Sequence, residues 1–182
     1  MTRALTRPPS DEQFTELVHA AWPALYRTAY LLVGNRGEAE DLVQTALAKT
    51  YASWGRVREV DAAAGYARTV LVNTATSWFR KRSWHGEQPT ATLPERAAPD
   101  ADPTDRPALV DALARLAPRQ RAVVVLRYYD DLSVAETARA LGCSEGTVKS
   151  QTSAGLARLR TLLGDAVVPQ TTSTTPTTGD LS

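Results

Sequence analysis

The stretch from Leu132 to Leu163 constrains this chain more than any other, because its punctuation permits little besides a helix, a sharp turn and a second helix. Ser133 is placed as an N-cap, and Val134, Ala135, Ala138 and Leu141 recur at helical spacing on one face. Gly142 follows directly, where a left-handed residue ends a helix and reverses the chain. Ser144 then caps a second helix, with Glu145 in the first turn where the helix dipole favours negative charge. On that helix Val148, Thr152, Leu156, Leu159 and Leu163 form one stripe that must be buried.

The opposite side of the second helix carries only small residues: Gly146, Ser150, Ser153, Ala154 and Ala157. Lys149 and Arg160 border this face on one side, Thr147 and Arg158 on the other. A slim face bordered by cations suits a recognition helix in a DNA major groove, with the border charges meeting phosphates and the face meeting base edges. An ordinary helical hairpin with a solvated polar face has the same spacing, and spacing alone leaves both readings open.

The net charge of the 182-residue chain is only +1, but it is unevenly placed. Residues 1–85 and 108–168 each carry a small basic excess, and the acidic stretch 86–107 between them conceals it in the total. That excess is too small to establish nucleic-acid binding by itself. The single cysteine, Cys143, excludes an internal disulfide and fits a reducing compartment. No apolar run approaches transmembrane length and the N-terminus has no apolar signal core, so a cytoplasmic protein with no membrane contact is expected. An enzyme is not expected: there is no glycine-rich phosphate loop, and His19 and His85 are the two histidines. Adjacent Asp130 and Asp131 lack further converging ligands, so neither a metal nor a catalytic residue is assigned.

Taken in order, the chain reads as helices separated by clear breaks. Ser10 to Gln13 forms a capping box, and Phe14, Leu17, Val18 and Ala21 continue the helical face until Pro23, which either kinks the helix or starts another. After Gly34-Asn35, the positions Ala39, Leu42, Val43, Ala46, Leu47, Thr50, Tyr51 and Trp54 make a core stripe over four turns, with Gly55 ending the helix. Opposite lie Glu40, Asp41, Gln44, Thr45, Ala48 and Lys49, a solvated face by pattern alone. A helix from about Ala62 to Arg82 then interleaves rings and cations in Trp78, Phe79, Arg80, Lys81, Arg82 and Trp84, a combination suited to single-stranded or melted DNA. The alternative is an amphipathic helix with Trp78 and Phe79 in the core. Residues 86–107 hold five prolines and five acids and read as a flexible linker. A helix over Ala108 to Leu116 follows, then Pro118 at the first position of a helix reaching Tyr129, with a Thr-rich disordered tail after the hairpin.

LSVAETARALGCSEGTVKSQ, preceded by LAPRQRAVVVLRYYDD, resembles region four of the extracytoplasmic-function sigma factors, and in part the DNA-binding domain of response regulators. Glu40-Asp41-Leu42-Val43-Gln44 resembles the region-two signature of the same sigma factors, which a response-regulator domain lacks, and decides between them. The arrangement is most similar to the sigma-E-like actinobacterial branch. The resemblance implies an all-α fold of two small helical domains, a region-two bundle over 10–85 and a region-four helix-turn-helix over 108–165, joined by the linker 86–107 and followed by the tail 166–182. It implies core RNA polymerase as partner, through its beta-prime clamp helices and beta flap, and promoter DNA, for a protein that is monomeric when free. It admits an anti-sigma factor without identifying one, and it implies no cofactor.

Carried over by residue, Glu40, Asp41, Gln44, Thr45 and Ala48 would contact polymerase. Asn73, Ser77, Trp78, Arg80, Lys81 and Arg82 would open the minus-ten element, with a base-capture loop around Gly55 to Asp61. Thr147, Lys149, Ser150, Gln151, Ser153, Ala154 and Arg158 would read the minus-thirty-five element. Tyr66 stands where the family often has tryptophan and Ser77 where it often has aspartate, and the recognition helix departs at Gln151, Ser153 and Ala154. These departures prevent any transfer of promoter sequence. A free-standing helix-turn-helix regulator that binds DNA without polymerase is the alternative.

Overall fold

The structure, a computed structural model, describes residues 9–57, 59–84 and 105–164. Among them are seven α-helices and two single 3-10 turns, with no strand. The first helix, α1 (Asp11–Val33), begins at the expected capping box: Ser10 Oγ accepts from the Gln13 amide (3.3 Å) and Gln13 Oε1 accepts from the Ser10 amide (2.9 Å). Pro23 lies inside this one helix rather than dividing it. Pro23, His19 and Ala20 are all exposed, so water can satisfy the carbonyl that loses its donor. Gly34 closes the helix at φ 76°.

Helix α2 (Arg36–Ala52) is capped by Asn35 Oδ1, which accepts from the Glu38 amide at 3.0 Å. Its stripe is buried as the spacing requires, except at Tyr51, which is 48% exposed. Tyr51 lies over the end of the bundle instead, its hydroxyl donating to Asp11 Oδ1 (3.0 Å) and its ring 4.8 Å from that of Phe14. The helix stops at Ala52, before Gly55, because a 3-10 turn (Trp54–Arg56) swings the Trp54 indole inward to donate to Ser10 O (2.8 Å). Helix α3 (Ala63–Trp84) completes the bundle, pinned to α2 where Lys49 Nζ donates to Thr74 Oγ1 (3.0 Å). Phe79 belongs to the core.

The C-terminal half comprises α4 (Asp105–Ala114), α5 (Pro118–Tyr128), α6 (Val134–Leu141) and α7 (Glu145–Leu163). Helix α4 starts within the stretch expected to be linker, since Pro107 is tolerated in a first turn whose amides need no intrahelical partner. Residues 85–104 and the tail from 165 lie outside the described residues. Ser133 and Glu136 form a reciprocal capping box on α6, and Gly142 ends it at φ 60°. The buried face of α6 is rotated from expectation: Ala135 is exposed while Thr137 and Ala140 are buried, because this short helix packs against α3 and α5 as well as α7.

Helix α7 buries Val148, Leu156 and Leu159, with Thr152 and Leu163 half-buried at its margin. Gly155 is also buried, and an added Cβ would stand 2.9 Å from Val124 Cγ2. Its lack of a side chain lets α7 lie directly on α5. The halves are not separate bodies: α1 and α3 pack against α4, α5 and α6, and the main cluster of buried apolar residues runs through both.

Candidate polymerase and nucleic-acid interfaces

Helix α2 presents Glu40, Asp41, Gln44 and Ala48 to solvent with Thr45 half-buried beside them. They share one face because the opposite face is pinned by Ala39, Leu42, Val43, Ala46 and Leu47, all in the core. The carboxylates and amide on this face are rigidly spaced along one helix. Such a row sets register against a partner helix, while neighbouring apolar atoms supply area.

Helix α3 exposes Asn73, Arg80 and Lys81, with Ser77 half-buried on the same face. Trp78 is half-buried and packs against the core, so its ring is only partly available at the surface. Arg82 lies on the helix, and its side chain is outside what the structure describes. At the N-terminal end of α3, a concavity of about 440 Å³ is lined by Ser53, Arg56, Val57, Glu59, Ala62, Ala63 and Tyr66. Tyr66 is 43% exposed at its wall. A ring, a cation and short polar groups around a hollow of that size suit a single flat heterocycle stacked and hydrogen-bonded at its edge. Of the expected 55–61 loop, Arg56, Val57 and Glu59 line the hollow, and Tyr66 is a member that spacing alone gave no reason to select.

Helix α7 exposes Lys149, Ser150, Ser153, Ala154, Ala157 and Arg158, with Thr147 and Gln151 half-buried. Ser144 Oγ caps the helix by accepting from the Thr147 amide (3.1 Å) and lies 2.9 Å from Thr147 Oγ1. Ser150 Oγ donates to Thr147 O (3.0 Å). The small hydroxyls are thus folded against their own helix, leaving a low surface between the Lys149 and Arg158 cations.

Two charged groups that pattern reasoning missed are buried between the halves. Arg121 of α5 donates through Nη1 to Leu32 O (2.5 Å) and through Nη2 to Ala114 O (2.6 Å) and Leu116 O (3.4 Å), with its guanidinium 5.0 Å above the Phe79 ring. Desolvation lowers its pKa to about 10, so it remains cationic at neutral pH. Asp130 accepts from Thr28 Oγ1 (2.9 Å) and lies 3.5 Å from Arg68 Nε, with its side chain only 6% exposed. Burial raises its pKa, against the opposing pull of the Thr28 hydrogen bond and the Arg68 charge. Neither residue contributes to a ligand cluster: among the described residues no group of three or more His, Cys, Asp or Glu is placed to hold a metal ion. No described helix is long and apolar enough to cross a membrane.

Residues 17–85 match the family model described as Sigma-70 region 2, and residues 106–159 match Sigma-70, region 4. The chain is 47% identical over 150 residues to RNA polymerase sigma-E factor of Streptomyces coelicolor, covering 81% of this chain and 84% of the relative. It is 36% identical over 155 residues to the ECF RNA polymerase sigma factor SigM of Mycobacterium tuberculosis, covering 83% and 77%. Among solved structures, the sigma factor RpoE of Bartonella quintana, crystallised with the anti-sigma factor NepR, matches with TM-score 0.69 and 28% identity over 84% of this chain and 97% of that one.

Proposed function

The chain belongs to the extracytoplasmic-function sigma factors of the sigma-70 family, and on that premise we propose how its faces divide the work of promoter recognition. It binds core RNA polymerase and directs promoter-specific initiation of transcription. The assignment of tasks to residues rests above all on the coexistence, in one chain, of the exposed Glu40–Ala48 face on α2 and the low, cation-bordered face on α7.

In this reading Glu40, Asp41, Gln44, Thr45 and Ala48 seat region 2 on the polymerase clamp helices. Asn73, Ser77, Arg80 and Lys81, with Arg82 and the exposed part of Trp78, hold the minus-ten strand as it separates. A base swung out of the stack enters the hollow walled by Tyr66 and Arg56, where stacking offsets an extrusion cost of a few kcal/mol. Thr147, Lys149, Ser150, Gln151, Ser153, Ala154 and Arg158 lie along the minus-thirty-five major groove, the cations on phosphates and the small residues letting the backbone approach the base edges. Region 2 comprises about residues 10–85 and region 4 about 108–165. The protein works in the cytoplasm, where polymerase and promoters are.

The test is co-elution with core polymerase followed by run-off transcription from a genomic promoter library. Association with new promoter-specific transcripts is expected. Asp41→Ala with Gln44→Ala should weaken association at least tenfold at unchanged helicity, since both groups are exposed and outside the core. Undiminished association of the double variant would remove this face from the polymerase interface. Tight promoter binding by the protein alone, with no polymerase association, would instead indicate a free-standing regulator.

A further inference from the structure

Lys49 stands apart from the α2 face that it borders. Glu40, Asp41, Gln44 and Ala48 are exposed on one side of the helix, whereas the Lys49 ammonium crosses to α3 and donates to Thr74 Oγ1 at 3.0 Å. The Thr74 hydroxyl donates its own proton to Val70 O (2.7 Å), so its oxygen is left to accept from Lys49. Thr74 itself is buried and makes a firm anchor. Lys49 is exposed, and an ammonium carries three donors, so two remain for another ligand. No acid is placed to take them. Its neighbours one turn away on α2 are Thr45, Ala46, Ala52 and Ser53, and no described carboxylate lies within ion-pair distance of Lys49.

The anchor also fixes where this charge lies. Thr74 borders the side of α3 that exposes Tyr66, Asn73, Arg80 and Lys81, with Ser77 half-buried among them. Along α3 itself the cations leave a gap there. Arg68 faces Asp130, and the next basic residue is Arg80. Lys49 fills that gap from a second helix. At 1.5 Å per residue, its anchor is about 12 Å along the axis from Tyr66 and about 10 Å from Lys81. A strand with one base in the hollow beside Tyr66 and its backbone on Arg80 and Lys81 must pass it.

We propose that Lys49 is a further DNA contact, seating a backbone phosphate of the separated minus-ten strand between the Tyr66 hollow and the Arg80–Lys81 pair. The proposal rests on the promoter-recognition reading. A phosphate is the ligand that this arrangement fits, because a compact ammonium with free donors meets its oxygens as a point charge. The bond to Thr74 holds the long side chain in place before DNA arrives, which lowers the cost of ordering it on binding. DNA is then gripped in part by the helix whose adjoining face binds polymerase.

The test uses the full chain in complex with core polymerase and a dye-labelled single strand that carries the minus-ten element of a promoter identified by run-off transcription. Affinity is followed against salt by fluorescence anisotropy. A cation on one phosphate of a single strand contributes about 0.7 to the slope of log affinity against log salt. Lys49→Ala should lower affinity several-fold, reduce the slope by about that amount, and act by the same factor on a strand with altered minus-ten bases. Lys49→Arg should restore the slope. Thr74→Val keeps the charge and removes the anchor, so it should weaken binding with the slope retained. Helicity and association with polymerase should match the wild type throughout. An unchanged slope in Lys49→Ala would overturn the proposal. So would a loss of polymerase association in its place, or a loss of affinity confined to the native minus-ten bases. If Lys49→Ala loses helicity, Lys49→Gln is judged by the same outcomes. A wild-type complex that binds no promoter strand defeats the promoter-recognition reading, whereas a wild type that binds and a variant that equals it defeat this proposal alone.

Discussion

At the scale of single residues, Gly155 shows how much can hang on an absent side chain. A mid-helix glycine costs about 1 kcal/mol in propensity relative to alanine. At Gly155 that cost is outweighed by contact, because an alanine Cβ would lie 2.9 Å from Val124 Cγ2 and 3.5 Å from Gln120 Cβ and O. Val124 is buried and β-branched, so it cannot rotate away cheaply. Overpacking of this kind costs about 1–3 kcal/mol, which exceeds the propensity gain. Gly155→Ala should therefore lower the thermal midpoint by several degrees in calorimetry. Gly146→Ala on the same helix meets nothing nearer than Ser144 Oγ at 3.8 Å and should raise or preserve it. Equal responses from the two variants would mean that α7 does not rest on α5 as closely as the structure has it.

At the scale of elements, much was readable in advance because caps and stripes are local. The capping box at Ser10 and the N-cap at Ser133 set their helix starts, and the α2 stripe determined which side Glu40, Asp41 and Gln44 must occupy. The α7 face followed in the same way from Val148, Leu156 and Leu159. What local pattern missed was tertiary. Arg121 and Leu32 are 89 residues apart and Thr28 and Asp130 are 102 apart, and no periodicity connects such pairs. Thr137 reads as polar, yet it is fully buried on a helix that packs against α3, α5 and α7. Tyr51 fits the stripe by number but lies past the end of the bundle, where Asp11 offers its hydroxyl a partner. For α7 the surface position of Lys149 makes a separable claim. A side chain that neutralises one phosphate contributes close to one unit to the salt dependence of binding. Lys149→Ala should lower the affinity of the polymerase complex for its promoter and reduce the slope of log affinity against log salt by about one, measured by filter binding. An unchanged slope would take Lys149 off the phosphate backbone.

At the scale of the whole molecule, what matters is how firmly the two halves hold each other, and Asp130 offers a way to measure it. Its pKa is raised by burial above the ordinary aspartate value, a shift that Thr28 and Arg68 reduce without reversing. An acid that titrates higher in the packed protein than in the unfolded chain contributes most below its unfolded value, and that contribution fades as pH rises through the raised one. The packed seam therefore accommodates the protonated form of Asp130 better than the ionised one. Asp130→Asn imitates the protonated form at every pH and keeps an oxygen to accept from Thr28. The stability of the wild type minus that of Asp130→Asn should thus fall as pH is raised from about 3.5 to 7, and near neutrality the variant should be at least as stable. Glu12 and Glu136, whose pKa values are lowered by hydrogen bonds from Ser10 and Ser133, shift in the opposite sense but are common to both proteins and cancel in the difference. Denaturant titrations across that range measure it directly. A difference that grows with pH would mean that the attraction of Arg68 outweighs desolvation and that Asp130 is a firm ion pair. The falling difference instead describes a seam that accommodates the Asp130 charge poorly and closes on shape and apolar contact.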